Sequence, residues 1–228
     1  MLTDIYDGKI WKEFITINDE PFLSGETTYG LMLNVDWFKP FKRTQYKVGA
    51  IYLVVLNFPR SERFLRENLI LVGIIPGPNE PKHVMNTYLA PMIKDLQDLW
   101  KGVDMKLPTG NKVVRAALLC TGCDIPASKK LCGFRGFGSS RGCNRCFKPF
   151  EGAGFHKSYA DFDRNLWPKR TNLEHRQRAE EIKNATTLGE KERLEVEYGL
   201  RYSALLQLPY YMMQSECPVS LTHFIISI

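Results

Sequence analysis

The sequence predicts an α/β protein with a mixed β-sheet and flanking helices, together with a cysteine-containing and helical insertion. Three observations support this fold class: three strand-length apolar runs follow one another, a helix-length amphipathic segment comes next, and a fourth apolar run follows that segment. The chain has 228 residues, of which 44% are hydrophobic and 25% are charged. This composition is typical of a globular protein and excludes the collagen-like, disordered and coiled-coil classes.

The first three apolar runs, residues 29–35, 49–58 and 69–75, are predicted to be neighbouring antiparallel strands. The second run is rich in β-branched and aromatic residues, which favour strands. Prolines at positions 40, 59 and 76 disfavour continuation of the three strands. The links between the runs are short, and short links favour antiparallel pairing because parallel strands need a crossover of about a dozen residues or more.

Residues 86–100 predict an amphipathic helix with Asn86 as its cap. The apolar side chains recur at helical spacing and form one face, which consists of Leu89, Ile93, Leu96 and Trp100. The fourth apolar run, residues 112–123, is interpreted as a strand or a short buried helix. As a strand it would lie beside the first strand and parallel to it, because the preceding helix supplies the crossover connection.

An aspartate follows the first apolar run and another follows the fourth. If these strands are parallel neighbours, Asp36 and Asp124 lie side by side at one edge of the sheet. Two such carboxylates repel each other unless a hard cation such as Mg²⁺ or Mn²⁺ neutralises them, and two such ions promote phosphoryl transfer. This is the arrangement of RNase H-like nucleases, integrases and transposases. The alternative is that both aspartates only end strands and cap the next turn.

Five of the six cysteines cluster between residues 120 and 146: Cys120, Cys123, Cys132, Cys143 and Cys146, with Cys217 near the end. Two C-x-x-C pairs are separated by residues 124–142, a spacing within the zinc-ribbon range. Zinc binding by Cys143 and Cys146 is one interpretation, and a four-cysteine site that also uses Cys120 and Cys123 is another. For Cys120, Cys123 and Cys132 we prefer the interpretation as buried, unreactive thiols.

The formal net charge is +6, and two basic segments contain no acid. Their candidate nucleic-acid contacts are Lys39, Lys42, Arg43 and Lys47 in the first segment, and Arg135, Arg141 and Arg145 in the second. Solvated loops are the alternative. No apolar run approaches the roughly 18–20 residues of a membrane span, and acids stand where a secretory leader has basic residues. We therefore expect an intracellular protein without membrane contact.

Ordered sequence blocks resemble the transposase of CACTA-type cut-and-paste DNA elements. The blocks are LMLNVDWFKPF (31–41), IIPGP (74–78), YLAPMI (88–93), RAALLCTGCDIPA (115–127), GCNRC (142–146) and GLRYSALLQLPY (199–210). The resemblance implies an RNase H-like core with a DDE-type site, in which Asp36 and Asp124 are the first and second metal-binding acids. It also implies that Cys143 and Cys146 belong to an insertion, that DNA is the partner, and that the protein acts in the nucleus.

The family's third acid lies downstream of the LPY block, where this chain departs from the pattern. Glu216 is the only acid after Arg201, and its surroundings match nothing, so it is not nominated. We expect a transposable-element fragment that is inactive alone; the alternative is a non-catalytic zinc- and DNA-binding module derived from a transposase.

The chain is divided into a lead-in (1–30), the first half of the core (31–130), the cysteine-knuckle and helical insertion (131–200), and a core remnant with an aberrant tail (201–228). In that last part we expect exposed apolar side chains, such as Leu205, Leu208 and Tyr211.

Overall fold

The computed structural model describes residues 4–81, 84–136, 138–152, 156, 158 and 163–211. These residues belong to two compact units, of which the first comprises residues 4–124 and the second residues 125–211. Glu216 and Cys217 lie outside the described residues. Among the helices that are described, none combines the length and the apolar character needed to cross a membrane.

The first unit is a mixed α/β structure. Its strands are β1 (Thr16–Ile17), β2 (Glu20–Pro21), β3 (Thr28–Phe38), β4 (Val48–Val55), β5 (Leu69–Ile75), β6 (Val103–Leu107) and β7 (Gly110–Thr121). Its helices are α1 (Lys9–Glu13), α2 (Arg60–Arg63) and α3 (Met85–Lys101). The strands β1 and β2 form a small hairpin, and the other five form one sheet.

The order of the five-stranded sheet is β5-β4-β3-β7-β6. Strand β4 is antiparallel to both β3 and β5, whereas β7 is parallel to β3. Helix α3 precedes the β6–β7 hairpin and buries Leu89, Met92, Ile93 and Leu96. The predicted mixed sheet, the three antiparallel strands and the parallel fourth strand are therefore confirmed.

Three sequence-based details differ from the structure. The fourth apolar run is the strand β7, so the alternative of a short buried helix is wrong. The residue that caps α3 is Val84, without a side-chain hydrogen bond, rather than Asn86. Strand β6 was not predicted, although Val103, Met105 and Leu107 alternate with polar residues and Gly110, with φ of 111°, begins the paired strand.

The second unit is mainly helical. It contains α4 (Ile125–Leu131), α5 (Asn172–Lys183) and α6 (Leu188–Tyr198), with short 3₁₀ turns at Arg164–Leu166 and Ala204–Gln207. Thr171 and Thr187 cap the last two helices by accepting from the backbone N–H groups of Glu174 and Glu190. The expectation that residues 201–211 expose apolar surface is wrong, because Leu205, Leu208 and Tyr211 are fully buried in this unit.

Exposed apolar surface lies instead on the edge strand β5. Leu71 is 63% exposed, and its neighbours Ile70, Val72 and Ile74 are also exposed. The strand contains no charged residue to discourage pairing with another chain. The other edge strand, β6, carries Asp104 and Lys106 and is better protected.

Changing Leu71 to lysine is expected to reduce concentration-dependent association without unfolding the sheet, because an exposed charge blocks edge-to-edge pairing. Light scattering across a protein concentration series measures the effect. Met105→Lys, on the charged edge strand β6, is the control and should change scattering much less. Equal scattering by Leu71→Lys and the unaltered protein would rule out β5 as the associating edge.

Candidate metal centre

The two predicted acids lie at equal distances in sequence from the last paired residues of two parallel strands. The last paired residues of β3 and β7 are Leu33 and Thr121, and Asp36 and Asp124 each follow three residues later. The Gly122 N–H donates to the Leu33 carbonyl at 2.8 Å, so the strands still run together just before the acids. Both aspartates are exposed. The register thus brings two accessible carboxylate residues to one end of the sheet.

Two buried side chains join the strands immediately before the acids. The Asn34 side-chain amide donates to the Gly122 carbonyl, and the Val35 N–H donates to Cys123 Sγ at 3.1 Å. Asn34 is 2% exposed and Cys123 is 5% exposed. Asn34 was not predicted as a site residue, because an asparagine within an apolar run does not indicate which group its side chain contacts.

Tyr52 lies on β4 opposite Asn34. Burial, with a contribution from the nearby Asp36 carboxylate, raises the pKa of Tyr52 to about 12. The phenol therefore stays protonated and able to donate a hydrogen bond at any physiological pH. Asp36 itself accepts from the Trp37 N–H through Oδ1 at 2.8 Å.

The donor set suits a hard divalent cation, because Asp36 and Asp124 offer carboxylate oxygens. In the described part of the chain, no three His, Cys, Asp or Glu side chains come together as a metal site. Asp36 and Asp124 could therefore hold Mg²⁺ or Mn²⁺ only as part of a ligand set that the described His, Cys, Asp and Glu side chains do not complete.

The cysteines divide into buried thiols and a pair in a loop. Cys120 and Cys123 are buried in the first unit and Cys132 in the second, as preferred from the sequence. The four-cysteine zinc site stays a prediction.

Cys143 and Cys146 lie together in a loop of the second unit. The Arg145 N–H donates to Cys143 Sγ at 3.3 Å, and the Lys148 N–H donates to Cys146. The two side chains also hydrogen-bond to each other, and burial followed by this contact raises the pKa of Cys146. Backbone N–H groups thus lie beside both sulfurs, whereas burial of Cys146 favours its protonated thiol.

Arg170 is a buried side chain that hydrogen-bonds to the main chain of this loop. It is 3% exposed, and its Nε donates to the Cys143 and Cys146 carbonyls at 3.0 and 3.1 Å. The guanidinium carbon lies 4.0 Å from the centre of the Phe147 ring. Burial lowers the pKa of Arg170 to about 10, so it remains a cation at neutral pH.

His175 is a buried residue whose position sequence reasoning missed. It is fully buried on α5, and neither ring nitrogen has a hydrogen-bond partner among the described residues. Its ring packs edge-on against Phe134, with 5.1 Å between the centroids. Burial, with a contribution from the nearby cations Arg170 and Arg176, lowers the pKa of His175 to about 3.

We expect the second unit to lose stability as the pH falls from 6.5 towards 3. In that window the unfolded chain protonates His175 whereas the folded unit keeps it neutral, so acid favours unfolding by up to about 1.4 kcal/mol per pH unit. Urea-dependent amide exchange in α5, measured at several pH values, tests this. His175→Leu should flatten the dependence, and His156→Gln, which changes an exposed histidine, should not.

Several predicted nucleic-acid contacts have partners within the protein. Lys39 donates to Gln45, Lys47 pairs with Glu80 at 3.0 Å, Arg135 pairs with Glu195 at 3.5 Å, and Arg141 donates to the Glu197 carbonyl. Lys42, Arg43 and Arg145 are exposed. Exposed ion pairs contribute at most about 1 kcal/mol, so pairing at the surface is compatible with contact to phosphates.

These features define a mixed α/β protein with two accessible acids at one end of its sheet. The chain belongs to the transposase family tnp2, whose family model matches residues 1–193. The resemblance to a transposase is thereby confirmed at the level of the family. No curated protein matches the chain.

Proposed function

We propose that the first unit carries two metal-binding carboxylates of a DDE-type transposase centre on an RNase H-like sheet, as in CACTA-type elements. The observation that carries the proposal is the matched register of Asp36 and Asp124 at the ends of parallel strands. The family supports a role in transposition, and the carboxylate oxygens suit Mg²⁺ or Mn²⁺.

In this proposal Asp36 and Asp124 hold the cation through their carboxylate oxygens and fix it at the open end of the sheet. A bound Mg²⁺ or Mn²⁺ supplies stabilisation of the negative charge that develops when an oxygen nucleophile attacks a DNA phosphodiester. The basic side chains Lys42, Arg43 and Arg145 are exposed and suited to the DNA backbone. In this proposal the protein acts on DNA in the nucleus.

We expect the chain alone to hold the cation but not to cleave or transfer DNA. A DDE-type centre uses three acids, and no group of three metal-binding side chains occurs among the described residues. Loss of one member of a catalytic set removes several orders of magnitude in rate, because the members act as a unit. Activity then depends on a third carboxylate joining Asp36 and Asp124.

Replacing either aspartate with asparagine is expected to lower Mn²⁺ affinity by more than about tenfold, because a neutral amide replaces a charged ligand. Titration of the full chain, followed by the electron paramagnetic resonance signal of free Mn²⁺, measures the affinity of Asp36→Asn and Asp124→Asn. Asp104→Asn, which changes an exposed aspartate on β6, is the matched control. Equal affinity in all four proteins contradicts the proposal.

A second candidate function is a zinc- and DNA-binding module derived from a transposase, without catalysis. It is favoured by the backbone N–H groups directed at Cys143 and Cys146. In this function the two sulfurs supply two of the four ligands of a tetrahedral zinc ion. Such a module tolerates Asp36→Asn, whereas the metal centre of the first candidate does not.

A further inference from the structure

The hydrogen-bond ladder between β3 and β7 changes character directly before the two aspartates. In a regular parallel ladder, the Gly122 N–H bond to Leu33 is followed by a bond from the Val35 N–H to the Gly122 carbonyl. Here the Val35 N–H donates to Cys123 Sγ instead, at 3.1 Å. The Gly122 carbonyl accepts from the Asn34 side chain. One main-chain bond is thus replaced by two bonds through side chains.

Both side chains are held firmly in this position. Asn34 and Cys123 are buried, so either group would leave a buried main-chain atom without a partner if it moved away. Packing at Gly122 is tight, since a β-carbon there would lie 2.6 Å from Met32 Sδ. Burial and close packing therefore hold the two side-chain bonds in place.

The two side-chain bonds form a bridge between β3 and the chain after β7, and the two acids follow this bridge directly. A bond through a side chain spaces two backbones differently from a direct N–H to carbonyl bond, and Asp36 and Asp124 follow the bridge by two residues or fewer. We infer that Asn34 and Cys123 are positioning residues that set the separation of the Asp36 and Asp124 carboxylates for a divalent cation. This inference rests on the proposed function of the two aspartates.

A double variant, Asn34→Val with Cys123→Val, separates this role from a merely structural one. It removes both side-chain bonds together and leaves the Val35 N–H and the Gly122 carbonyl able to bond directly. We expect the sheet to fold with its thermal midpoint nearly retained, while Mn²⁺ affinity falls by about tenfold or more, as is typical when residues that orient metal ligands are changed.

The experiment measures Mn²⁺ affinity and the thermal midpoint on the full chain. Leu119→Val, a buried change on β7, is the control and should leave Mn²⁺ affinity unaltered. If the double variant does not fold, Cys123→Ser is measured instead, because its hydroxyl keeps an acceptor for the Val35 N–H but shortens the bridge. In that variant Mn²⁺ affinity should still fall.

A folded double variant, or a folded Cys123→Ser, that binds Mn²⁺ as tightly as the unaltered protein overturns the positioning role alone. If the unaltered protein binds no Mn²⁺, or binds it equally after Asp36→Asn, the proposed function fails and this inference fails with it. A drop in affinity that Leu119→Val reproduces also overturns it, since the effect would then reflect packing.

Discussion

Replacing Arg170 with methionine is expected to destabilise the second unit by about 3 kcal/mol. The buried guanidinium donates to four main-chain carbonyls, those of Arg141, Cys143, Cys146 and Tyr198. Methionine keeps the apolar stem but supplies no donor, and each buried carbonyl without a donor costs about 1–3 kcal/mol. Relief from burying a cation offsets part of this loss, which leaves the smaller net value.

The measurement is urea-dependent amide exchange in α5 and α6 of the full chain. Arg193→Met is the matched control, because Arg193 forms an exposed pair with Glu197 and its removal should cost less than about 0.5 kcal/mol. The Arg170 and Arg193 variants should therefore differ severalfold in the free energy of unfolding. Equal stability of the two would show that the four carbonyl contacts do not hold the cysteine loop.

Removing Cys146 is expected to abolish zinc binding by the second unit, if the module function is correct. Cys146→Ala deletes one of two adjacent sulfurs that accept backbone N–H groups. Structural zinc contributes about 10–16 kcal/mol to small zinc-dependent folds, so loss of the ion should also weaken the helices. The unaltered chain should retain one zinc per molecule after dialysis, and Cys146→Ala none.

Cys132→Ala is the control for this experiment, because Cys132 is a buried cysteine of the same unit. It should keep its zinc. Chelation of the unaltered protein should reduce the helical circular dichroism, whereas chelation of Cys146→Ala should change nothing further. A protein that holds no zinc, or a Cys146→Ala variant that retains it, excludes the zinc module.

The sheet could be predicted because its order depends on features that are visible along the chain. Run lengths, short links and one amphipathic helix determine that β3, β4 and β5 are antiparallel and that β7 is parallel to β3. The placement of Asp36 and Asp124 at one end follows from that order. Strand β6 escaped prediction because Asp104 and Lys106 interrupt its apolar residues.

The buried polar contacts could not be predicted in the same way. Asn34 and Cys123 replace a main-chain bond, and such a replacement depends on register to within one residue. Helix α5 is rich in charged residues, so the sequence predicts that His175 is exposed. A signal was nevertheless present, since His175, Ala179 and Ile182 recur at helical spacing and are the buried residues of that helix.

Metal-directed cleavage shows whether Asp36 and Asp124 together hold one divalent cation. Fe²⁺ bound in place of Mg²⁺ generates hydroxyl radicals in the presence of ascorbate and peroxide, and these cut the backbone beside the ion. We expect cuts next to both aspartates in the unaltered chain, suppressed by excess Mg²⁺ and absent from Asp36→Asn and Asp124→Asn. Cuts at only one aspartate, at neither, or unchanged in the two variants would contradict the account.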